Sequence, residues 1–270
     1  MQGSLSRIKE LLHEHGTEDP ASELELVTRH LKGAGFSNEE VDRIILGINS
    51  NVPITRILGY NIVCGARINI NSDVISPGPE TVTIAEKAIQ LAKKAGKLKL
   101  LDMCTGSGAV ATAIAKNVNG SNCVGVDISN KALEVARQNA RENGVQVDYR
   151  LGDLFEPVAG ELFDLIIANP PYVRTAEIEK LPYFVRDFAP SLAIDGGLDG
   201  LRLHERILKE SRLFLEPTGF LILECEDNQD TELFDLFGHY KWTVAESYQN
   251  RLGKIRGFCL SPPIINDPPF

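Results

Sequence analysis

The chain has 270 residues, 43% hydrophobic and 24% charged, a globular composition with room for one large domain or for a domain and a smaller one. Its net charge of −9 and pI near 5.2 disfavour nucleic acid as a direct substrate, because such binding relies on basic side chains that neutralise phosphates. No apolar run reaches the roughly 18 residues that cross a bilayer, the first residues do not form a signal peptide, and the five scattered cysteines form no Cys-x-x-Cys pair. We therefore expect a cytoplasmic protein with no membrane partner and no metal site; the sequence does not indicate an oligomeric state.

Residues 1–50 are predicted to form a small helical domain. Their apolar side chains recur at the spacing of amphipathic helices, and glycines interrupt the pattern. Ser37, with Glu40 three residues later, has the pattern of a capping box that opens the third helix. We expect about three helices that recognise substrate and carry no catalytic group.

Residues 51–80 are predicted to form a β-hairpin linker. The apolar side chains between Pro53 and Ile75 come with Gly59 and Gly65, a combination typical of two short strands and a tight turn. A proline-rich hinge at 76–81 then precedes a helix that runs to about Ala95.

Residues 81–270 are predicted to form the main domain, in which apolar strands alternate with amphipathic helices. Strands are expected at 99–103, 123–127, 147–150, 163–168, 219–225, 242–248 and 257–260, and helices at 109–116, 130–143, 200–215 and 230–237. These repeated units predict an α/β fold with a mainly parallel, doubly wound, Rossmann-like sheet, which binds ligands beyond the carboxyl ends of its strands. The proline-rich tail, 261–270, predicts no regular structure.

A glycine-containing loop, Asp102-Met103-Cys104-Thr105-Gly106-Ser107-Gly108, follows the first strand of the main domain and opens a helix. Its glycines let the backbone approach a ligand where a Cβ would clash. Cys104 stands where a dinucleotide fingerprint has its first glycine, and the last glycine of that fingerprint is missing, which disfavours NAD. Cofactor contacts are expected from Asp102, Cys104, Thr105, Gly106, Ser107 and Gly108.

Acidic side chains end the next two strands. Asp127 lies about 20 residues after the loop, where a carboxylate accepts both hydroxyls of a ribose. Asp153 is placed to accept from the exocyclic amine of adenine, with Leu154 and Phe155 beside the ring. A single strand-end aspartate is commonly a cap or turn residue, but acids on three successive strands indicate a cofactor with a ribose and an adenine. S-adenosylmethionine fits that description.

The fourth strand of the main domain ends in Asn169-Pro170-Pro171-Tyr172. Each proline fixes φ and lacks an N–H, and Asn169 is held extended by the proline that follows it. The Asn169 amide oxygen and the Pro170 carbonyl can accept both hydrogens of one planar NH2 group, with Tyr172 packed on its plane. The alternative is a turn that only ends the strand. We expect Asn169, Pro170 and Tyr172 to be catalytic and Pro171 to join them in binding substrate.

These motifs, in this order, resemble class I S-adenosylmethionine-dependent methyltransferases that act on planar nitrogen. Three further segments resemble the HemK/PrmC family of glutamine N-methyltransferases: Arg56-Ile57-Leu58-Gly59-Tyr60, Pro77-Gly78-Pro79-Glu80-Thr81 and Asp195-Gly196-Gly197-Leu198-Asp199-Gly200-Leu201. The resemblance implies S-adenosylmethionine as cofactor, with Asn169 also near it. It implies as partner a peptide chain release factor, methylated on the glutamine of its Gly-Gly-Gln motif, and a role for Pro79 and Glu80 in substrate binding.

The chain departs from the family's usual pattern at four positions. Gly78 stands where the family has arginine, Val82 where it has an acid, Ala189 where it has glutamate, and Cys104 where it has glycine. Substrate identity is therefore less firmly implied than the chemistry. The alternatives are a ribosomal protein glutamine, an amide or amine of a small metabolite, an exocyclic amine of DNA or RNA, and a scaffold without turnover.

Other titratable residues are given no catalytic role. Glu224 and Glu226 alternate on a predicted strand, and we expect their carboxylates on a solvent-exposed edge face. His204 and His239 are expected to be surface or structural residues. No general base is indicated, since the sulfonium of the methyl donor is already activated.

Overall fold

In the computed structural model of the chain, residues 2–15, 17, 19–95, 98–250 and 252–262 are described. The helices are α1 (Gln2–Glu14), α2 (Pro20–Gly33), α3 (Asn38–Asn49), α4 (Ile54–Leu58), α5 (Pro79–Ala95), α6 (Ala109–Asn117), α7 (Asn130–Glu142), α8 (Tyr183–Arg186), α9 (Arg202–Glu210) and α10 (Asp230–His239). The strands are β1 (Tyr60–Val63), β2 (Ala66–Asn69), β3 (Lys99–Met103), β4 (Asn122–Asp127), β5 (Asp148–Leu151), β6 (Phe163–Ala168), β7 (Val173–Arg174), β8 (Asp195–Gly197), β9 (Leu215–Glu224), β10 (Thr243–Gln249) and β11 (Ile255–Ser261). Most of the predicted tail, residues 263–270, lies outside the described residues. Among the helices described, none combines the length and apolar character needed to cross a membrane.

A seven-stranded sheet with the order β10-β11-β9-β6-β3-β4-β5 forms the centre of the main domain. Strands β3, β4, β5, β6 and β9 run parallel, whereas β11 is antiparallel to both of its neighbours. The predicted α/β, doubly wound, Rossmann-like sheet is therefore confirmed. Because the five parallel strands end at the same edge, the loops that follow them meet there.

Alternating side chains of the parallel strands fill two cores, one on each face of the sheet. On β3, Leu100 packs with α5, α6 and α7, while Leu101 and Met103 pack with α9 and α10. This alternation is the period of two that a strand imposes on its side chains. Both faces are apolar, so the inner strands β3, β4, β6 and β9 are largely buried and their carboxyl ends are open to a ligand.

The predicted helical start is present as α1, α2 and α3, and Ser37 caps α3 by accepting a hydrogen bond from the backbone N–H of Glu40 at 3.2 Å. The linker is not only a hairpin, because α4 precedes β1. Ile54, Ile57 and Leu58 are buried at helical spacing in the core of the first three helices. The domain boundary at residue 50 thus remains a prediction, since α4 packs with the domain before it.

Two expectations for the carboxyl-terminal half are wrong. The predicted helix at 200–215 is limited to α9, and Leu215 instead begins β9, where it pairs with Phe163 of β6. The predicted edge position of Glu224 is also incorrect. Strand β9 is interior, because β11 returns antiparallel and inserts between β10 and β9.

Arg56 connects α4 to two other parts of the chain. Its guanidinium donates to the backbone carbonyls of Asn71, of Val74 at 2.7 Å and of Phe188 at 2.6 Å. Phe188 lies in the segment between β7 and β8, which follows Tyr172. One side chain therefore joins the helical region to the segment beside the predicted substrate loop.

We expect Arg56→Ala to lower the free energy of unfolding by about 3 kcal/mol, since hydrogen bonds to a charged donor are worth roughly 1.5–3 kcal/mol each and are not additive. Urea unfolding measures this change. Arg29→Ala is the control, because its ion pair with Glu25 is exposed and such pairs contribute at most about 1 kcal/mol. Equal losses in the two variants would contradict the connecting role of Arg56.

Candidate active site

The loop between β3 and α6 is braced from inside by Asp102. This side chain is 3% exposed, and its Oδ2 accepts from the Thr105 hydroxyl at 2.6 Å and from the backbone N–H of Ala111 at 3.1 Å. Burial raises the pKa of Asp102 to about 6, while these two donors lower it. Asp102 thus holds the shape of the loop, and its predicted direct contact with the cofactor remains a prediction.

The outer part of this loop has left-handed backbone. Cys104, Gly106 and Gly108 have φ values of 57°, 54° and 72°. A Cβ added at Gly106 would meet only the Cys104 carbonyl oxygen, at 3.9 Å, and would otherwise point into open space. The loop therefore has a bare backbone facing a space that a ligand can fill.

Asp127, at the end of β4, is joined directly to this loop. Its Oδ2 accepts from the backbone N–H of Gly106 at 2.8 Å, and its Oδ1 accepts from the N–H of Ser129 at 2.9 Å. Burial raises the pKa of Asp127, and these donors oppose the rise. Each oxygen keeps a second lone pair for a ligand hydroxyl. Ile128, to which no sequence motif drew attention, follows Asp127 and is 56% exposed.

Asp153, after β5, already has a charged partner. Both of its carboxylate oxygens lie 3.0 Å from Nη1 of Arg206 on α9. Leu154 is buried with φ of 48°. Phe155 is not beside the open site as expected, because it stacks on Phe214 within the core at a centroid distance of 4.5 Å.

The Asn169-Pro170-Pro171-Tyr172 segment, the proline loop, directly follows β6 and lies beside the loop after β3. The Asn169 Nδ2 donates to the hydroxyl of Thr81 on α5 at 3.5 Å. The backbone carbonyl of Tyr172 accepts from Gln229 Nε2 at 3.0 Å, and Gly200 packs so closely that an added Cβ would lie 2.3 Å from the same carbonyl oxygen. The Asp195–Leu201 segment therefore supports the proline loop from behind.

Beneath this loop lies a buried group of ionisable side chains. Glu224 is 3% exposed, and its Oε1 accepts from the Tyr172 hydroxyl at 3.4 Å. That hydroxyl in turn accepts from Arg256 Nη2 at 3.3 Å. Arg256 also pairs with Glu226 at 2.7 Å and lies 3.9 Å from Glu80. The expectation that Glu224 is exposed to solvent is therefore wrong, because its side chain is buried under the proline loop.

The buried group perturbs the acid–base properties of its members. Burial raises the pKa of Glu224 to about 8, Arg256 lowers it, and Glu80 raises it. Burial and the neighbouring Glu224 carboxyl also raise the pKa of the Tyr172 hydroxyl well above its ordinary value. By contrast, His204 is a buried structural residue as expected, with Nε2 2.8 Å from the Glu224 carbonyl oxygen.

The sheet brings most of the predicted site residues to one edge. The loop after β3, Asp127, Asp153 and the proline loop lie at the ends of neighbouring strands, and Glu80 joins them through Arg256. The sequence alone assigned no role in this site to Thr81, Glu224 or Arg256. Glu224 had a usable signal, since it ends a fifth apolar strand, whereas Arg256 had none.

Known proteins resemble this chain closely enough to place it in a family. Residues 87–199 match the family model of the methyltransferase small domain. The release factor glutamine methyltransferase of Geobacter sulfurreducens is 37% identical over 68% of this chain and 64% of its own length. The one of Bacteroides thetaiotaomicron is 35% identical over 80% of this chain and 78% of its own length. The chain belongs to the release factor glutamine methyltransferase family.

A solved structure agrees with the fold of the family. The ribosomal protein L11 methylase of Lactobacillus delbrueckii subsp. bulgaricus is 19% identical, with a TM-score of 0.52 over 69% of this chain and 80% of that one. The predicted class I methyltransferase fold and its cofactor class, S-adenosylmethionine, are thereby confirmed for this member of the release factor glutamine methyltransferase family.

The four departures from the family pattern lie in different surroundings. Gly78 precedes α5, and an added Cβ there would lie 3.2 Å from Glu80 Oε2. Ala189 follows Phe188, whose carbonyl binds Arg56. Val82 packs against the core on the α5 face, and Cys104 has the left-handed φ that glycine adopts without steric cost.

We expect Glu224→Gln to stabilise the protein increasingly as the pH rises from about 4.5 to about 8, the ordinary and the folded pKa of this carboxyl. The unfolded chain releases the Glu224 proton at a lower pH than the folded chain does. The wild-type free energy of unfolding therefore falls between these pH values, by about 1.4 kcal/mol per pH unit at most. Below the lower value the carboxyl is protonated in both states, and this contribution is constant.

Urea unfolding of wild type and variant at several pH values measures the difference. Glu216→Gln, at the opposite end of β9, is the matched control and should show no such trend. A stability difference between wild type and Glu224→Gln that does not change with pH would contradict a carboxyl held neutral by burial.

Proposed function

We propose that this protein transfers a methyl group from S-adenosylmethionine to the side-chain amide nitrogen of a glutamine, in the Gly-Gly-Gln motif of a peptide chain release factor. One observation carries the proposal. The Asn169-Pro170 acceptor pair follows β6, next to the β3 loop whose bare backbone is linked to Asp127. A planar NH2 group and a ribose-containing methyl donor are the ligands that suit these two neighbouring features.

The residues at the strand ends fit S-adenosylmethionine. Gly106 leaves open space above the loop, and the second lone pairs of Asp127 suit the ribose hydroxyls. Asp153, held by Arg206, is available for the adenine amine, and we add the exposed Ile128 as the apolar contact for the ring. When bound, the cofactor supplies a methyl group already activated on a sulfonium.

The chain's own part in catalysis is to hold the acceptor. A glutamine amide is a weak nucleophile, because its nitrogen lone pair is delocalised into the carbonyl. The Asn169 side-chain oxygen and the Pro170 carbonyl accept hydrogen bonds from its two N–H groups, and Tyr172 packs on the plane of the amide. Orientation of this kind contributes up to about 7–11 kcal/mol. The two carbonyl dipoles also stabilise the positive charge that develops on nitrogen. Loss of one of the two N–H protons to solvent then leaves the neutral N-methyl amide.

The release factor is the partner that family membership favours. Pro79 and Glu80 lie at the start of α5, beside the proline loop. The remainder of a Gly-Gly-Gln segment would pass there. The helices α1, α2 and α3, which share an apolar core with α4, form a surface for recognising the rest of the factor. An enzyme with this substrate works in the cytoplasm, with the translation machinery.

The test is transfer of labelled methyl from S-adenosylmethionine to purified release factor. We expect transfer to the intact factor and none after the motif glutamine is replaced by alanine. Labelled methyl found in ribosomal protein, small metabolites or nuclease-sensitive material, but not in release factor, would contradict the release factor as the methyl acceptor.

Asn169→Ala is expected to lower kcat by about 10²–10³-fold, the loss typical of removing one group that stabilises developing charge. Asn119→Ala, in an exposed turn after α6, is the control and should leave kcat unchanged. An Asn169→Ala enzyme with normal turnover would overturn the mechanism.

Gly106→Ala is expected to weaken binding of S-adenosylmethionine at least tenfold, about 1.4 kcal/mol, because the new methyl group enters the space above the loop. Gly120→Ala is a matched control: Gly120 also has a positive φ, 79°, with no atom near its added Cβ. Both variants should lose about 1–2 kcal/mol of stability from left-handed backbone. Calorimetric titration measures both affinities. Equal affinities of Gly106→Ala and Gly120→Ala for S-adenosylmethionine would contradict the loop as the cofactor site.

A further inference from the structure

Glu224 and Asn169 occupy equivalent places on neighbouring parallel strands. Ala168 at the end of β6 pairs with Leu223 of β9, so the next residue on each strand, Asn169 and Glu224, lie side by side at the ligand edge. Unlike Asn169, Glu224 is almost completely buried. It therefore faces the proline loop from below and not the ligand.

The carboxyl of Glu224 has one oxygen engaged and one available. Oε1 accepts from the Tyr172 hydroxyl, whereas Oε2 is buried and has no close hydrogen-bond partner among the described residues. The Asn169 side chain is among the groups that lower the pKa of this carboxyl, as expected for two residues that lie side by side at the ends of β6 and β9. The available oxygen has lone pairs that can accept a hydrogen bond, and the Nδ2 of the adjacent Asn169 amide is a donor that suits it.

The orientation of the Asn169 amide matters because its two ends have nearly the same shape. With Nδ2 inward, Oδ1 points to the NH2 group of the substrate. With the amide reversed, the Asn169 NH2 group would face that NH2 group instead. Two donors facing each other leave both unsatisfied. The Thr81 hydroxyl already accepts from Nδ2, but only at 3.5 Å. A second, stronger acceptor is needed to fix the amide.

We propose that Glu224 is a positioning residue, whose carboxyl accepts from Asn169 Nδ2 and so directs Oδ1 toward the NH2 group that is methylated. The inference rests on the proposed function, because it assigns the substrate-facing end of Asn169. Arg256 completes the arrangement. Its guanidinium donates to the Tyr172 hydroxyl and also pairs with Glu226 and Glu80. These charged side chains pack beneath Tyr172 and Glu224.

The direct test observes the Asn169 side-chain NH2 by NMR in ¹⁵N-labelled full-length protein, with its signal assigned by its loss in Asn169→Asp. We expect slow hydrogen exchange in wild type. Glu224→Met keeps the volume but removes the acceptor, and should speed exchange at least about fivefold, the factor expected for one hydrogen bond. Glu224→Gln keeps an acceptor oxygen and should fall between the two. Equal exchange in wild type and Glu224→Met would overturn the proposal.

Kinetics provide a second readout. Glu224→Met should lower kcat about 100-fold, the scale of a misplaced reacting group, and Glu224→Gln should lower it less than about tenfold. Calorimetry should give unchanged affinity for S-adenosylmethionine in both variants, and Glu216→Gln should behave as wild type. Equal kcat in the Met and Gln variants, at any level, would contradict the role of the acceptor oxygen.

These arms separate the two proposals. A wild-type protein that does not methylate release factor refutes the proposed function, while the NMR measurement still decides the orientation of Asn169. If Glu224→Met does not fold, Thr81→Val replaces it in a double-mutant cycle with Glu224→Gln. Both single changes remove or weaken an acceptor for the same NH2 group, so coupled effects on kcat support the proposal and independent effects overturn it.

Discussion

Five parallel strands end at one edge of the sheet, and this convergence places the strand-end groups of the proposed site. Each strand contributes one chain segment there, although the segments are far apart in sequence. The apolar cores on both faces hold the strands in register, so the positions of the strand ends are fixed before any ligand binds. The groups delivered in this way are Asp102 with its loop, Asp127, Asp153, Asn169 and Glu224.

A planar NH2 group has two hydrogens, and a site that excludes water must offer two acceptors in its plane. Asn169 and the Pro170 carbonyl meet this requirement on a stiff backbone that cannot itself donate at the prolines. The support beneath them comes at the expense of stability, because the buried Glu224 carboxyl opposes ionisation. A destabilising group retained under a reactive loop is typical of sites where orientation matters more than stability.

The sequence identified the main-domain strands and four of the five strand-end segments, since buried parallel strands are continuous apolar runs followed by polar loops. It could not give the strand order. Glu224 was therefore misplaced, because alternation with Glu226 has the pattern of an exposed edge unless β11 is known to cover β9. The Arg206–Asp153 pair and the position of Arg256 were equally inaccessible, since they depend on helix and strand packing across more than 50 residues. The short helix α4 was missed because five residues give too little periodicity.

The most direct measurement is a crystal structure of the full chain with S-adenosylhomocysteine and a Gly-Gly-Gln peptide. We expect the glutamine side-chain nitrogen to lie about 3 Å from both Asn169 Oδ1 and the Pro170 carbonyl oxygen. The β3 loop and Asp127 should contact the cofactor product beside it. A glutamine side chain that binds away from these two acceptors, or a cofactor product bound away from the β3 loop, would contradict this account of the site.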